Sequence, residues 1–381
     1  MRALVPSARG RLVLATCFAA LSLSLAFFPA GAQANTFSVD GISDQSLPMW
    51  DAGFVGSDFA GLFERSWVAD SHIRYARYVV QWNVMSDAYT AERSIFEHWL
   101  QDVASMGLVA DVSLTSYDHV YPKSAAEYAA ALTAILDRAS AIGDPVPYLE
   151  AWNEPNNQGH EPAVEAARFA NAARAVCAAG HDCVMIAGDF EDAPGLARYE
   201  REYERNLDRA PAIWGVHPYW SVEEMSEAPY LNFIDNLPNG GTGVRIWFTE
   251  IAARKCTDYN GDLKEYGEAG QARRAEWLVD TLMRNHPPEH AFYYDFLLGG
   301  YRQPSCAAER EDGALYVPGG DPPRVEDRPR AAAGIIWGGA GLAAGYDGPV
   351  PAVPPPFPAK LQDSSILGLP VCIGGPGCRS S

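Results

Sequence analysis

The chain has 381 residues, 48% of them apolar and 20% charged, enough apolar material to bury a full core, which excludes a disordered tail. Its 29 basic residues face 48 acidic ones, a formal charge of −19, and that balance disfavours nucleic acid and anionic membrane surfaces as partners, since both require a basic face. The length suits two or three domains, or one (β/α)8 barrel.

Residues 1–34 read as a signal peptide. Arg2, Arg9 and Arg11 form a basic start, Leu12 to Phe28 is an uncharged apolar run, Pro29 breaks it, and Ala32-Gln33-Ala34 supplies small residues for cleavage. The competing reading is an uncleaved anchor, for which 17 residues are at the low edge. An exported protein, extracellular or periplasmic, is therefore expected, with no membrane insertion after cleavage.

Beyond the leader, strand-like and helix-like segments alternate. Phe37–Ile42 reads as a first strand, and Ile73–Trp82, β-branched and aromatic, as a second. Ile95, Trp99, Val103 and Met106 repeat at helical spacing over 91–106, with Gly107 as the stop. Leu108–Thr115 is the third strand. Ser124 and Glu127 form a capping box for a helix ending at Gly143. Val146–Asn153 is the fourth strand, and Pro162 opens a helix running to about Gly180. Cys183–Ala187, Ile213–His217, Val244–Thr249 and Ala291–Leu297 read as strands five to eight. Between them lie helices at Gly195–Leu207, at a Ser221–Glu224 cap, and over Leu263–Asn285; a last helix is placed at Arg330–Leu342. Eight βα units imply a parallel sheet closed as a (β/α)8 TIM barrel, so 35–342 is expected to be the catalytic domain.

Pro349–Pro358 holds six prolines in ten residues and reads as an extended linker. Residues 343–381 form a Pro/Gly-rich tail. After the leader is removed six cysteines remain: Cys177, Cys183, Cys256, Cys306, Cys372 and Cys378. An even number in an exported chain points to disulfides. About 15 pairings are possible; nearness in sequence favours Cys177–Cys183 and Cys372–Cys378, leaving Cys256 for Cys306. Free buried thiols are the alternative. No zinc-type cysteine spacing and no HExxH occurs.

Active sites of such barrels sit where strands end. Strand four ends in Trp152-Asn153-Glu154-Pro155-Asn156, strand six in His217-Pro218-Tyr219, and strand seven in Phe248-Thr249-Glu250. Glu154 and Glu250 are 96 residues apart, three βα units, which puts both on one rim. Two facing carboxylates suit glycosidic cleavage: one, protonated, gives its proton to the departing oxygen, while the other, ionised, attacks the anomeric carbon or activates water. The plainer alternatives are a helix cap for Glu154, a rim residue for Glu250, and a simple ion pair with Glu150 for Arg77.

The set WNEPN, HPY and IWFTE resembles the clan A glycoside hydrolases, most closely family 39 and neighbours related to the family 5 cellulases. That resemblance implies a retaining enzyme without a cofactor, acting on a poly- or oligosaccharide. Glu154 would be the general acid/base and Glu250 the nucleophile. Asn153 would bond the sugar 2-hydroxyl, Tyr219 would donate to Glu250, His217 would line the site, and Arg77 would lie beneath the nucleophile. The tryptophan usual at the end of strand eight is missing from Phe292–Phe296, where Tyr294 or Phe296 would replace it, and no β-sandwich follows the barrel. Trp82, Tyr117, Trp220 and Tyr294 lie near strand ends as possible sugar-stacking faces; core packing is the alternative for each. Asp118, His119 and His160 lie near the rim without an assigned role. Asp258–Asp262 lacks the bidentate glutamate of a calcium loop and reads as an Asn-Gly turn. A monomer is expected. A non-catalytic sugar-binding barrel and a transglycosylase with the same residues remain as competing functions.

Overall fold

A computed structural model describes residues 39–43, 73–157, 161–259, 262–294, 316–319, 324–329, 332 and 335–336. Eight parallel strands close into a barrel with interleaved helices. They are β1 (Gly41–Ser43), β2 (Tyr75–Gln81), β3 (Val109–Thr115), β4 (Tyr148–Glu150), β5 (Val184–Glu191), β6 (Ile213–His217), β7 (Arg245–Ile251) and β10 (His290–Tyr294). Each pairs with its sequence neighbour, and β1 pairs with both β2 and β10 to close the ring. The chain is a (β/α)8 barrel.

The helices form where the periodicity places them. In α1 (Thr90–Met106) the buried face is Phe96, Trp99, Leu100 and Val103, with Gly107 at φ 66° ending it. In α2 (Ala125–Ile142), Ser124 Oγ accepts from Glu127 N–H at 3.1 Å and Glu127 accepts from Lys123 N–H at 2.7 Å, a reciprocal N-terminal cap. Then come α3 (Ala163–Val176), α4 (Leu196–Arg205), α5 (Tyr219–Glu224), α6 (Ala228–Asn236) and α7 (Gly267–Trp277). Cys177 and Cys183 are joined by a disulfide across the turn after α3. Cys256 is also disulfide-bonded. No helix among the described residues is long and apolar enough to cross a membrane.

Four segments differ from the sequence expectation. Strand four stops at Glu150 rather than Asn153, because the chain turns at Ala151 to present the WNEPN segment. Strand five does not stop at Ala187 but runs to Glu191 through a bulge between Gly188 and Phe190. The helix expected from Leu263 begins only at Gly267, since Asp262–Glu265 (β9) pairs antiparallel with Cys256–Tyr259 (β8). Ser221 does not cap a helix of its own: α5 starts at Tyr219, and Asp192 accepts from Trp220 N–H at 2.7 Å and Ser221 N–H at 3.0 Å. Tyr259 pairs with Asp262 in register; the Asn260-Gly261 turn expected between them lies outside the described residues. Residues 1–34, the expected last helix apart from a few residues, residues 343–381, His160, Phe296 and the expected Cys256–Cys306 and Cys372–Cys378 pairings lie wholly or partly outside the described residues.

Side chains alternate across each strand, and the inward set is layered. Ile186, Ile213, Trp247 and Phe292 pack with Tyr75 and Tyr148 as an apolar plug. Gly41 leaves room for that plug, because a Cβ there would lie 2.5 Å from the Phe292 ring. One step toward the strand ends, the inward residues become polar: Arg77, Asp111, Glu150, Ser113, Asp189, His217 and Thr249, all buried. The barrel core is thus apolar below and ionic above.

Candidate active site

The WNEPN turn is pinned at Trp152, Asn153, Glu154 and Asn156, and just before it at Ala151. Tyr128 from α2 donates to Ala151 O at 2.7 Å. Trp152 is core, its ring 5.1 Å from that of Phe169. Asn153 N–H donates to Leu114 O at 2.7 Å, and Glu154 N–H to Asp189 O at 3.0 Å. Asn156 brackets the Glu191 backbone, with bonds of 2.7 and 3.0 Å. Glu154 itself has φ 43°. A left-handed glutamate costs on the order of 1–3 kcal/mol and persists only where its surroundings impose it.

Glu250, at the end of β7, is held from two sides. Arg77 Nη1 donates to its Oε1, and Tyr219 Oη donates to Oε2 at 2.8 Å. Burial and the Glu250 charge hold the Tyr219 phenol well above its ordinary range, so it stays a neutral donor. The Arg77 fork also reaches Glu150 (2.6 to 3.0 Å), Asp189 Oδ2 (2.8 Å), Asn153 Oδ1 (2.9 Å) and Ser43 Oγ (3.0 Å). Burial works against this guanidinium, but Asp189, Glu150 and Glu250 outweigh it and keep it charged.

His217 stands between the two sides. Its Nδ1 lies 2.8 Å from Glu154 Oε1 and 3.6 Å from Glu250 Oε2, and its Nε2 lies 2.7 Å from Asp189 Oδ1. Burial opposes the imidazolium, yet Asp189, Glu250 and the bonds to Asp189 and Glu154 raise its pKa well above the ordinary histidine value. Glu154, His217 and Glu250 bring one ligand atom each within 4.8 Å of one another. These atoms are matched to a guanidinium, a phenol and an imidazole, a donor set that suits proton transfer better than a cation.

Comparison with known proteins gives the fold a context. Among solved structures, similar chains include the Ignisphaera aggregans GH53 catalytic domain (12% identity, TM-score 0.53, covering 80% of this chain and 97% of that one). The endo-beta1,6-glucanase BT3312 matches at 14% identity and TM-score 0.53, covering 79% and 75%, and SrfJ from Salmonella typhimurium at 13% and 0.52, covering 79% and 74%. No family model matches the chain. No curated protein matches it either. At these identities the likeness is one of fold, carried by the barrel.

The sequence-derived residues divide into two groups. Asn153, Glu154, Arg77, His217, Tyr219 and Glu250 converge on one cluster. The aromatic candidates do not present one open face. Trp82 is 4% exposed, with its indole donating to Val120 O at 2.6 Å. Tyr117 is half-buried and donates to Val79 O at 2.8 Å. Trp220 is half-buried beside the Asp192 cap. Tyr294 lies 6.4 Å from the Tyr219 ring, centroid to centroid. Arg254 covers that same Tyr219 ring at 4.0 Å. Asp118 accepts from Gln81 and Ser116 in a rim network.

Asp189 has no counterpart in the sequence reading. It receives Arg77, Ser113 Oγ (3.0 Å), Thr249 Oγ1 (2.6 Å) and His217, while its carbonyl holds Glu154. Burial is overcome by Arg77 and His217, so its carboxyl sits far below the ordinary range. The sequence signal was Gly188-Asp189, which looks like a turn and is instead a bulge with both residues at positive φ.

Beneath Arg77, both carboxylate oxygens of Asp111 lack a donor and face Glu150. Two adjacent buried carboxylates cannot both ionise cheaply, so the pair retains a proton. Burial pushes Asp111 up to about 6, despite Arg77, and Glu150 well above the carboxylate range. With the folded pKa raised, this contribution is complete below about pH 4 and is lost as pH rises through about 6. Asp111→Asn keeps the shape, donates to Glu150 and does not titrate. Its melting temperature is expected to exceed that of the wild type by about 2–5 °C at pH 8, with the difference closing near pH 4. A calorimetric pH series checks this, and a gap independent of pH would contradict it.

Proposed function

We propose that the protein is an exported retaining glycoside hydrolase that cleaves O-glycosidic bonds of a poly- or oligosaccharide by double displacement. The observation that carries this reading is the approach of Glu154 and Glu250, with carboxylate atoms within 4.8 Å across one cluster. That separation favours direct attack over an intervening water, since retention goes with about 5–5.5 Å and inversion with about 6.5–9.5 Å. Export rests on the composition of residues 1–34.

The two carboxyls have different surroundings, and the roles follow. Glu250, held by Arg77 and Tyr219, is aimed by two donors and attacks the anomeric carbon. Glu154 gives its proton to the departing oxygen, and a glycosyl ester forms on Glu250. Water then loses a proton to Glu154 and releases the sugar with its original configuration. Asn153 turns Oδ1 to Arg77, which leaves its amide N–H groups to meet a sugar hydroxyl. No metal or cofactor is required by this scheme.

Tyr219→Phe tests the aim of the nucleophile. Losing a hydrogen bond to a charged group costs about 1.5–3 kcal/mol, so kcat is expected to fall about 10- to 100-fold with folding retained. An unchanged kcat would remove Tyr219 from the mechanism. The function itself is tested by a polysaccharide and aryl-glycoside panel, with the anomer released followed by NMR. Retained configuration with some substrate is expected. Binding without turnover would favour the non-catalytic barrel, and inversion would rule out the ester.

A further inference from the structure

We propose that Asp189 is a positioning residue for the acid–base step: it holds His217 as an imidazolium throughout the cycle, so that Nδ1–H is always donated to Glu154 Oε1 and the exchanging proton is confined to Glu154 Oε2. This rests on Glu154 being the general acid/base.

The argument starts from the groups around the ring. His217 on β6 is fully buried. It meets Asp189 on β5 at 2.7 Å, Glu154 from the turn after β4 at 2.8 Å, and Glu250 on β7 at 3.6 Å. The Tyr219 ring packs against it, with centroids 5.9 Å apart. Two guanidiniums are tied into this group: Arg77 on β2 reaches Asp189 and Glu250, and Arg254 stacks on the Tyr219 ring at 4.0 Å. Three carboxylates therefore favour the charged ring.

Two of those carboxylates change charge during the reaction. Glu250 becomes a neutral ester after attack, and Glu154 alternates between acid and carboxylate. Asp189 does neither. It is buried and held by four donors on four strands: Arg77, Ser113, Thr249 and His217. It is the one anion that can keep His217 charged while the other two are spent. The Asp189 carbonyl also receives Glu154 N–H at 3.0 Å, so one residue fixes both the proton donor to Glu154 and the backbone that carries it.

The proton balance follows. In the first step the proton on Glu154 Oε2, the oxygen that Asn157 Nδ2 approaches at 3.1 Å, moves to the glycosidic oxygen. The bond from that oxygen to the anomeric carbon breaks, and the bond to Glu250 forms. In the second step water gives a proton back to Oε2. His217 keeps both of its protons, and its positive charge favours the Glu154 carboxylate, the form that must act as base once Glu250 no longer carries charge.

The test is a nitrogen-15 NMR titration of the imidazoles, with His217 assigned by the His217→Asn variant, alongside the pH profile of kcat/KM. In the wild type His217 is expected to remain doubly protonated at pH 8. In Asp189→Asn it is expected to titrate at least about 2 pH units lower, and the alkaline limb of kcat/KM to move upward because Glu154 has lost a cationic neighbour. Thr249→Val, which removes one donor from Asp189 Oδ1 while keeping the charge, is expected to leave His217 doubly protonated at pH 8 and the limb in place; the wild-type NMR reading serves if the Asp189 variant does not fold. A neutral His217 in the wild type at pH 7, or an alkaline limb that does not rise in Asp189→Asn, would overturn the proposal. The NMR readout needs no turnover. An inactive protein with a charged His217 would fail the hydrolase reading, whereas an active one with a neutral His217 would fail only this inference.

Discussion

Glu250→Gln is expected to leave the protein folded and to lower turnover on the order of 10⁴-fold or more. The substitution preserves shape and both contacts: the Gln carbonyl can face Arg77, and its amide can donate to the Tyr219 oxygen. What is lost is the negative charge, and with it the bond to the anomeric carbon. Substrate affinity is expected to survive, because Glu250 is asked to react rather than to bind. Steady-state kinetics with equilibrium binding separates the two effects. Residual turnover within about tenfold of the wild type would place the nucleophile elsewhere.

Arg77→Met is expected to be the most destabilising single substitution in the barrel. The guanidinium is fully buried and meets three carboxylates, Glu150, Asp189 and Glu250. Removing one partner from a buried ionic cluster costs about 3–5 kcal/mol, because the charges left behind have no counterion. The carboxyls would then bind protons more tightly in the folded state, so the loss should deepen as pH rises from about 4 toward 8. Denaturant midpoints across that range check both the size and the sign. Arg77→Lys keeps the charge but not the fork, and should recover only part of the loss. A Met variant as stable as the wild type at pH 8 would mean that the cluster is neutralised in some other way.

The barrel was legible because it depends on local signals. Capping at Ser124, stops at Gly107 and Gly143, and β-branched runs each declare an element, and their alternation leaves few topologies. The converging residues were legible where they sit next to one another in the chain, as in WNEPN and HPY. What could not be read were contacts made only by closure. Asp189 lies behind a Gly-Asp pair that mimics a turn, and its partners come from β2, β3, β6 and β7. Asp192 caps α5 from 27 or more positions earlier in the chain, beyond the reach of any local motif. Arg77 was read as serving either Glu150 or the nucleophile, and a buried fork with five donors serves both. Among the aromatic candidates a large ring near a strand end serves packing as readily as sugar, and sequence alone does not separate the two; Trp82 is buried in packing.

The most direct measurement is a trap of the covalent step. A substrate-matched 2-deoxy-2-fluoro glycoside with a good leaving group should add one glycosyl mass to the intact protein, and peptide mapping should place it on Glu250. An adduct on any other residue, or none under conditions where the natural substrate turns over with retention, would contradict the assignment of Glu250 and Glu154 to the two halves of one reaction.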